Sequence, residues 1–242
     1  MKSVKPLGAP AYGHIPHLPG SRMGPGDHHC EIGQARIATI KTRDRHDRVI
    51  VQEKLDGSNC AVYYDGSILI PLVRAGYPAA SSPFLQHQWF AEWVSTQHDR
   101  FLQVLHPGEW VVGEWLAQAH GTRYQLPHEP FVIFDLIIGR DPRRGLLRLP
   151  LTDLQNRLAR GHFVMPHILH DGSAWSIEAV QDVFAHTGSA HGALDPPEGA
   201  VWRVERRGEV DFLVKWVRPN KVDGQYLPEV TGQDPIWHWR PS

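Results

Sequence analysis

Five polar residues in this 242-residue chain stand where runs of apolar residues stop: Lys54, Arg74, Glu114, Glu198 and Lys215. Lysine and arginine can neutralise phosphate charge, and a carboxylate can accept hydrogen bonds or hold a hard divalent cation. An ordered set of such residues is what a nucleotide site built from strand termini requires. The sharpest member is Lys54 in E-K-L-D-G-S-N (53–59), which follows V-I-V-Q (49–52) and runs into Asp56-Gly57, a strong turn signal. Two readings of this stretch stay open on the local residues alone. One is a hairpin that ends at Lys54 and returns through A-V-Y-Y (61–64). The other is a turn that presents the lysine amine to a ligand.

The elements that must position these residues are read from periodicity. Alternating apolar positions predict strands at A-R-I-A-T-I (35–40), V-I-V-Q-E-K (49–54), A-V-Y-Y (61–64) and S-I-L-I-P-L-V-R (67–74), an antiparallel meander broken by D-G turns at 56–57 and 65–66. A helix is expected next, with Ser81-Ser82-Pro83 supplying the N-cap and a proline at the first helical position. Leu85, Trp89, Phe90, Trp93 and Val94 follow at helical spacing as a core stripe. Strands are expected at 109–116 and 130–138, helices at 151–160 (Thr152 as cap) and 176–186, and strands again at 199–205 and 211–218. Strands first and last with helices between them give an α+β architecture, and no Gly-rich phosphate loop is present. The first 30 residues, rich in Pro, Gly and His, read as an extended arm that wraps the domain or its ligand. The expected organisation is that arm over 1–30 and a single domain over 31–242.

Composition narrows the classes. The content is 41% hydrophobic and 21% charged, with no apolar run near the ~20 residues of a membrane helix, so a soluble protein with no membrane partner is expected. The N-terminus lacks an apolar signal region, and two cysteines, Cys30 and Cys60, do not make a disulfide framework; the cytoplasm is the expected location. A net charge of −1 does not announce a nucleic-acid binder, so any basic face must come from clustering. Clusters occur at 140–148, 156–160, 203–207 and 215–221. The 16 histidines lack zinc spacing, and D-H-H-C (27–30) is not accompanied by the membrane spans its acyltransferase namesake needs.

The segments E-K-L-D-G-S-N, L-V-R-A-G, V-V-G-E-W-L, F-V-I-F-D-L, P-E-G-A-V-W-R and L-V-K-W-V-R, in this order, resemble the successive motifs of the covalent nucleotidyltransferase superfamily of ligases and capping enzymes. G-E-W-L-A-Q-A-H and the arm's H-L-P-G-S-R are most similar to the ATP-dependent RNA ligases, the phage-type nick-sealing enzymes and their bacterial relatives. The resemblance covers roughly residues 12–221. It implies an ATP-grasp-like adenylation domain with antiparallel sheets and flanking helices. It also implies joining of RNA 5′-phosphate and 3′-hydroxyl ends through a lysyl-AMP intermediate, with ATP and Mg²⁺ or Mn²⁺.

Carried over residue by residue, the resemblance makes Lys54 the nucleophile and Asp56 the acid that orients the amine or a metal-bound water. Ser58 and Asn59 approach the nucleotide, Arg74 contacts the ribose and the incoming RNA end, and Glu114 accepts from ribose hydroxyls. Phe134 stacks on the purine, Glu198 holds the metal, and Lys215 reaches the α-phosphate. A free lysine titrates near ~10.4, so the expectation is that Lys215 and a metal lower the Lys54 pKa. Phe131 is an equally good core residue, and Asp135 is expected to support the fold. The chain departs from the pattern at Val217, where many relatives have a second lysine; Arg218 and Lys221 follow, and on a strand Arg218 faces away from 215. Arg218 is nevertheless kept as a substrate contact. Arg140, Arg143, Arg144 and Arg148 are candidates for RNA backbone contacts, and His14, His17 and Arg22 of the arm for contacts to the nucleotide or the end being joined. The chain ends about twenty residues after the last motif, which leaves no room for the C-terminal oligonucleotide-binding-fold domain of DNA ligases and capping enzymes. That favours RNA repair by a monomer, with a repair-protein partner lending grip. Two alternatives remain: an adenylyltransferase acting on a DNA nick or a protein, and a non-catalytic nucleotide- or RNA-binding module.

Overall fold

Val49 and Val51 point to one face of their strand and Ile50, Gln52 and Lys54 to the other, and this alternation sets the layering of the molecule. The computed structural model describes residues 4–241. Among them the strands are β1 (Asp47–Lys54), β2 (Ser58–Tyr64), β3 (Leu69–Val73), β4 (Trp110–Trp115), β5 (Phe131–Asp141), β6 (Gly145–Arg148), β7 (Ile168–Gly172), β8 (Gly199–Arg206) and β9 (Glu209–Val217). They form two antiparallel sheets, one in the order β7-β1-β8-β9 and the other β3-β2-β4-β5-β6. The helices are α1 (Ile32–Thr39), α2 (Leu85–Thr96), α3 (His98–Val104), α4 (Leu151–Arg160), α5 (Ile177–Thr187) and α6 (Pro228–Thr231). The mixed α and β composition with antiparallel sheets agrees with the expected fold class.

Each sheet buries one face under helices. Val49, Val51, Trp202, Val204 and Val214 of the first sheet pack with Ala35 and Ala38 of α1 and Val180 of α5. Cys60, Val62, Val111, Trp115, Phe131 and Ile133 of the second sheet pack with Phe90 and Trp93 of α2, Phe101 of α3 and Leu154 of α4. Burying a side chain of this size stabilises by about 1.5–3 kcal/mol. The other two faces look at each other across the site.

Several expectations are corrected. A-R-I-A-T-I is helical: Glu31 and Gln34 form a reciprocal capping box, and Ala35 and Ala38 are buried one turn apart, a helical period that six alternating residues conceal. β1 and β2 do not form a hairpin. β1 pairs with β7 and β8, β2 with β3 and β4, and Asp56-Gly57 carries the chain from one sheet to the other. Only β2 and β3 make the expected hairpin, with Asp65 accepting from the amides of Ser67 and Ile68 at 2.7 and 2.8 Å. α2 starts at Leu85 after Pro83, with no side-chain cap, and Leu85 itself is exposed; α4 is capped from Pro150, and the Thr152 hydroxyl instead accepts from Arg48 at 3.0 Å. α3, β6 and β7 are short elements that periodicity did not resolve.

The arm lies along the edge strand β9. Leu18 donates to the Lys215 carbonyl at 2.8 Å, Lys215 to Pro16 at 3.0 Å and Arg22 to Val217 at 2.9 Å, so backbone groups that an edge strand would leave open are paired. After β9 the chain crosses back to the second sheet. Ala119 donates to Ile236 at 2.9 Å, Trp237 packs 4.2 Å from Trp89 and Trp239 5.3 Å from Trp115. No helix among the described residues is long and apolar enough to cross a membrane.

Candidate active site

A cavity of about 480 Å³ opens between the two inward sheet faces, with Lys54, Lys215, Arg74, Glu114 and Phe134 among its walls and Tyr12, Gly13 and Ile15 of the arm at its rim. The strand register explains the grouping. Lys54 pairs with Gly199, and Gln52 with Val201, which pairs in turn with Lys215, so these side chains rise from one face of the first sheet. A Cβ on Gly199 would sit 1.9 Å from the Trp216 carbonyl, so the close approach of β8 to β9 beside Lys54 needs glycine. From the opposite sheet, Asn59 pairs with Glu114 and both look into the cavity.

The Lys54 amine donates to Glu198 Oε2 at 2.5 Å and to the Leu55 carbonyl at 3.3 Å. Burial favours its neutral form, but the carboxylates of Glu198, Glu114 and Asp56 outweigh burial and hold its pKa above the usual lysine value. This corrects the expectation of a lowered pKa. Lys215 instead is the lowered one, by burial first and then by Lys54, and it rests 3.6 Å from Asp27 of the arm.

Asp56 does not contact Lys54. Its Oδ2 accepts from Lys221 at 2.6 Å and from the Gly121 amide at 2.8 Å. Burial raises the Asp56 pKa and Lys221 more than offsets it, leaving the carboxyl below its usual range. Lys221 also lies 3.3 Å from Glu198 Oε1, so Lys54, Glu198, Lys221 and Asp56 form an alternating chain of charges. Lys221 has a side chain only 1% exposed and does not line the cavity. Lys221 and Asp27 are two residues near the site that the strand pattern missed because they come from segments outside the strands; Gln52 and Arg203, on β1 and β8, line the cavity as well and were also missed. A Cβ on Gly121 would meet Lys221 Cε at 2.7 Å, a spacing signal legible only after folding.

Glu114 accepts from the Gly57 amide at 3.0 Å, and its pKa is pushed up to about 7 by burial, against the pull of Lys54. Ser58 turns its hydroxyl to Gln86 at 2.9 Å and lies 3.2 Å from His87. Arg74 donates to the Gly13 carbonyl at 3.0 Å. Phe134 lines the cavity edge-on to Tyr12 at 5.4 Å, whereas Phe131 is fully buried in the core, which separates the two rings. Asp135 accepts from Tyr12 at 2.5 Å, from Arg148 at 3.1 Å and from Arg203, a buried network on the cavity floor.

Other candidates are not brought into the cavity. Arg218 donates to Asn220 at 2.9 Å. Arg148 is bound to Asp135, Arg144 to Glu209 at 2.7 Å and Arg140 to the Pro10 carbonyl, so three of the four arginines proposed for RNA are engaged within the protein, while Arg143 is exposed. In the arm, Arg22 pairs with Asp223, while His17 is buried with its pKa lowered to about 4 by burial and by Lys215.

Six buried side-chain atoms among the described residues lack a hydrogen-bond partner, and three of them, Gln52 Nε2, Asn59 Oδ1 and Arg203 Nε, belong to residues that line this cavity. Buried polar groups are normally satisfied, so this concentration fits a site that completes its bonding with a polar ligand. Among the described residues no group of three or more His, Cys, Asp or Glu side chains is arranged to hold a metal. A single carboxylate such as Glu198 suits a Mg²⁺- or Mn²⁺-type ion held chiefly by a substrate's phosphates.

The model of a family described as RNA ligase matches residues 47–217. Among solved structures, an archaeal ATP-dependent RNA ligase matches with a TM-score of 0.50 and 20% identity over 71% of this chain and 42% of that one. A variant of the Naegleria gruberi RNA ligase with ATP and Mn matches at 0.52 and 18% identity over 86% and 60% of the two chains, and the Naegleria gruberi RNA ligase with PPi at 0.51 and 18% over 90% and 62%. The chain thus spans 42% to 62% of the length of these proteins, and the likeness is one of fold. No curated protein matches the sequence.

Proposed function

The chain belongs to the RNA ligase family, and from that premise we propose that it joins RNA ends in an ATP-dependent reaction through adenylation of Lys54. The observation that carries this reading is the Lys54 amine, held by Glu198 at 2.5 Å on the wall of a cavity of nucleotide size. In the first step the Lys54 ammonium gives up a proton to solvent, its Nζ forms a bond to the α-phosphorus of ATP as the bond to pyrophosphate breaks, and a second amine proton passes to water. In the second the AMP passes to an RNA 5′-phosphate and frees Lys54. In the third an RNA 3′-hydroxyl attacks that phosphate and AMP departs.

Each step is positioning plus charge stabilisation. Glu198 orients the amine, and Lys215, freed from Asp27, neutralises the α-phosphate. Glu114 and Asn59 reach the ribose, Ser58 supports that wall through Gln86, Phe134 offers a face for the purine, and Arg74 stands at the mouth for the RNA end. Glu198 would hold a divalent metal, which when bound neutralises charge on the phosphates. The same amine that Glu198 orients is kept protonated by it, so that ion pair must loosen before attack. Asp56 acts behind the lysine, through Lys221. We assign the arm over 1–30 and the single domain over 31–242 to one catalytic unit, a monomer acting in RNA repair in the cytoplasm, with a partner protein supplying further grip on RNA.

The test is the intact mass of the protein after incubation with ATP and Mg²⁺ or Mn²⁺, beside Lys54→Ala. An AMP-sized increment on the parent alone supports the reading; no increment on a parent free of pre-bound AMP sinks it. Product formation on RNA nicks, DNA nicks and single strands then fixes the acceptor.

A further inference from the structure

We propose that Lys41, Arg45, Arg143 and Arg207, at the end of the first sheet away from Lys54, form a second contact for RNA and grip the phosphates that flank the ends being joined. This rests on the RNA-joining reading of the cavity and adds how the chain holds its substrate at a distance from the chemistry.

The four residues come from three loops that the fold ties together. Lys41 and Arg45 lie between α1 and β1, Arg143 in the β5–β6 turn and Arg207 in the β8–β9 turn. The Arg207 amide donates to the His46 carbonyl at 3.4 Å, and both terminal nitrogens of Arg206 donate to Asp44, at 3.0 and 2.8 Å. Arg144 reaches from the second sheet to Glu209 at 2.7 Å. In the ladder Asp47 stands opposite Arg206 and Lys54 opposite Gly199, so the length of β1, roughly 23 Å, separates these loops from the lysine.

The carboxylates at this end are already engaged. Asp44 and Asp47 take Arg206, Asp47 and Asp211 take Arg43, and Glu209 takes Arg144. Asp141 accepts from the amides of Arg143 and Arg144, both at 2.8 Å, which fixes the β5–β6 turn. What remains is positive. All four proposed side chains are exposed, and among the described residues none of them makes an ion pair or a side-chain hydrogen bond.

The turn chemistry at Arg207 points the same way. Arg206 pairs with Glu209, which leaves Arg207-Gly208 as a two-residue hairpin loop with φ of 53° and 80°. A loop with positive φ at both positions favours Asn or Asp before Gly, and an arginine there works against the local preference. Such departures concentrate at functional positions. Here the departure places a cation at the tip of a short turn. Cations carried by three separate loops match a repeating chain of phosphates, and contacts of this kind hold a nucleic acid without reading its sequence.

The experiment compares the parent with a fourfold variant, Lys41→Gln, Arg45→Gln, Arg143→Gln and Arg207→Asn, the asparagine being the residue that suits the turn. One probe is a nicked RNA duplex with flanks of about 20 base pairs, and the other has flanks of about 5, too short to span roughly 23 Å at about 3.4 Å per base pair. The variant is expected to take the AMP increment from ATP and to bind the short duplex as the parent does. It should bind the long duplex about 10- to 100-fold less tightly at about 0.1 M salt, with a slope of log Kd against log salt smaller by about 3–4. Should the fourfold variant fold poorly, Arg207→Asn alone, with a melting temperature no lower than the parent's, should reduce that slope by about 1. Equal affinity and slope for parent and variant on the long duplex, or a parent that binds both lengths alike, overturns the assignment while leaving Lys54 adenylation standing. A parent that takes no AMP increment, yet loses its hold on the long duplex in the variant, overturns the ligase reading and supports the RNA surface.

Discussion

Lys54 and Glu198 are 144 residues apart in the chain and 2.5 Å apart in the fold. The contact exists because β1 and β8 pair with Lys54 opposite Gly199, so the residue before Gly199 arrives at the lysine. The proposed nucleophile is thereby stored as a cation, and under that proposal its release is tied to whatever competes for Glu198.

Glu198→Gln is therefore expected to separate two effects. The amide still accepts from Lys54 but neither pulls on its charge nor holds a metal well. Adenylation at saturating Mg²⁺ should fall by at least about tenfold and the metal concentration needed for half-maximal rate should rise. An unchanged metal requirement in a titration of initial rates would remove Glu198 from the metal's neighbourhood.

Lys221 is the only cation bonded to both Asp56 and Glu198 among the described residues. Lys221→Met leaves Asp56 without a cation in contact and Glu198 with Lys54 alone, and breaking a buried pair in this way costs on the order of 3–5 kcal/mol. Urea unfolding should show that loss. Adding Asp56→Asn should recover part of it, because the two residues are coupled. Gly121→Ala, which forces a Cβ against Lys221 and the Val222 carbonyl, should act in the same direction without removing the charge.

Phe134 and Phe131 are three residues apart and should respond oppositely. Phe134→Leu is expected to weaken AMP binding by about 1–3 kcal/mol with little change in melting temperature. Phe131→Leu, fully buried in the core, should lower the melting temperature and leave AMP affinity near the parent's. Calorimetric titration and thermal unfolding on the same two samples decide it.

His191 is buried between His128 at 2.8 Å and the His167 amide at 3.0 Å, and burial lowers its pKa to about 4. The unfolded chain then binds a proton that the folded one refuses. The stability this residue contributes is present above pH ~6.5 and is lost as the pH falls toward 4. Glu114, raised to about 7, works in the opposite sense over much of that range, so the comparison must be between parent and variant. The urea midpoint of His191→Asn should fall less steeply than the parent's between pH 6.5 and 4; parallel curves would mean that His191 does not titrate as described.

Much of the candidate site was legible in the sequence because its residues sit on strands whose apolar runs are themselves legible. Lys54 ends β1, whereas Glu114 and Lys215 lie one and two residues before the ends of β4 and β9, so the expectation that each closes its strand holds only for Lys54. The same pattern misread A-R-I-A-T-I as a strand, since six residues fit both periods until the Glu31–Gln34 capping box is noticed. It also made β1 and β2 a hairpin, because Asp-Gly signals a turn without saying which sheet the chain enters next.

Sequence by itself determined the residue types, their order and the strands that carry them, since these follow from local propensity and spacing. Tertiary structure alone decided the partners. Asp56 faces Lys221 rather than Lys54, Arg148 is spent on Asp135, and Gln52 is left with an unmatched amide. Those outcomes depend on strand register and on where the segments before β1 and after β9 return, and contacts between residues far apart in the chain are set by packing of the whole, not by spacing along it.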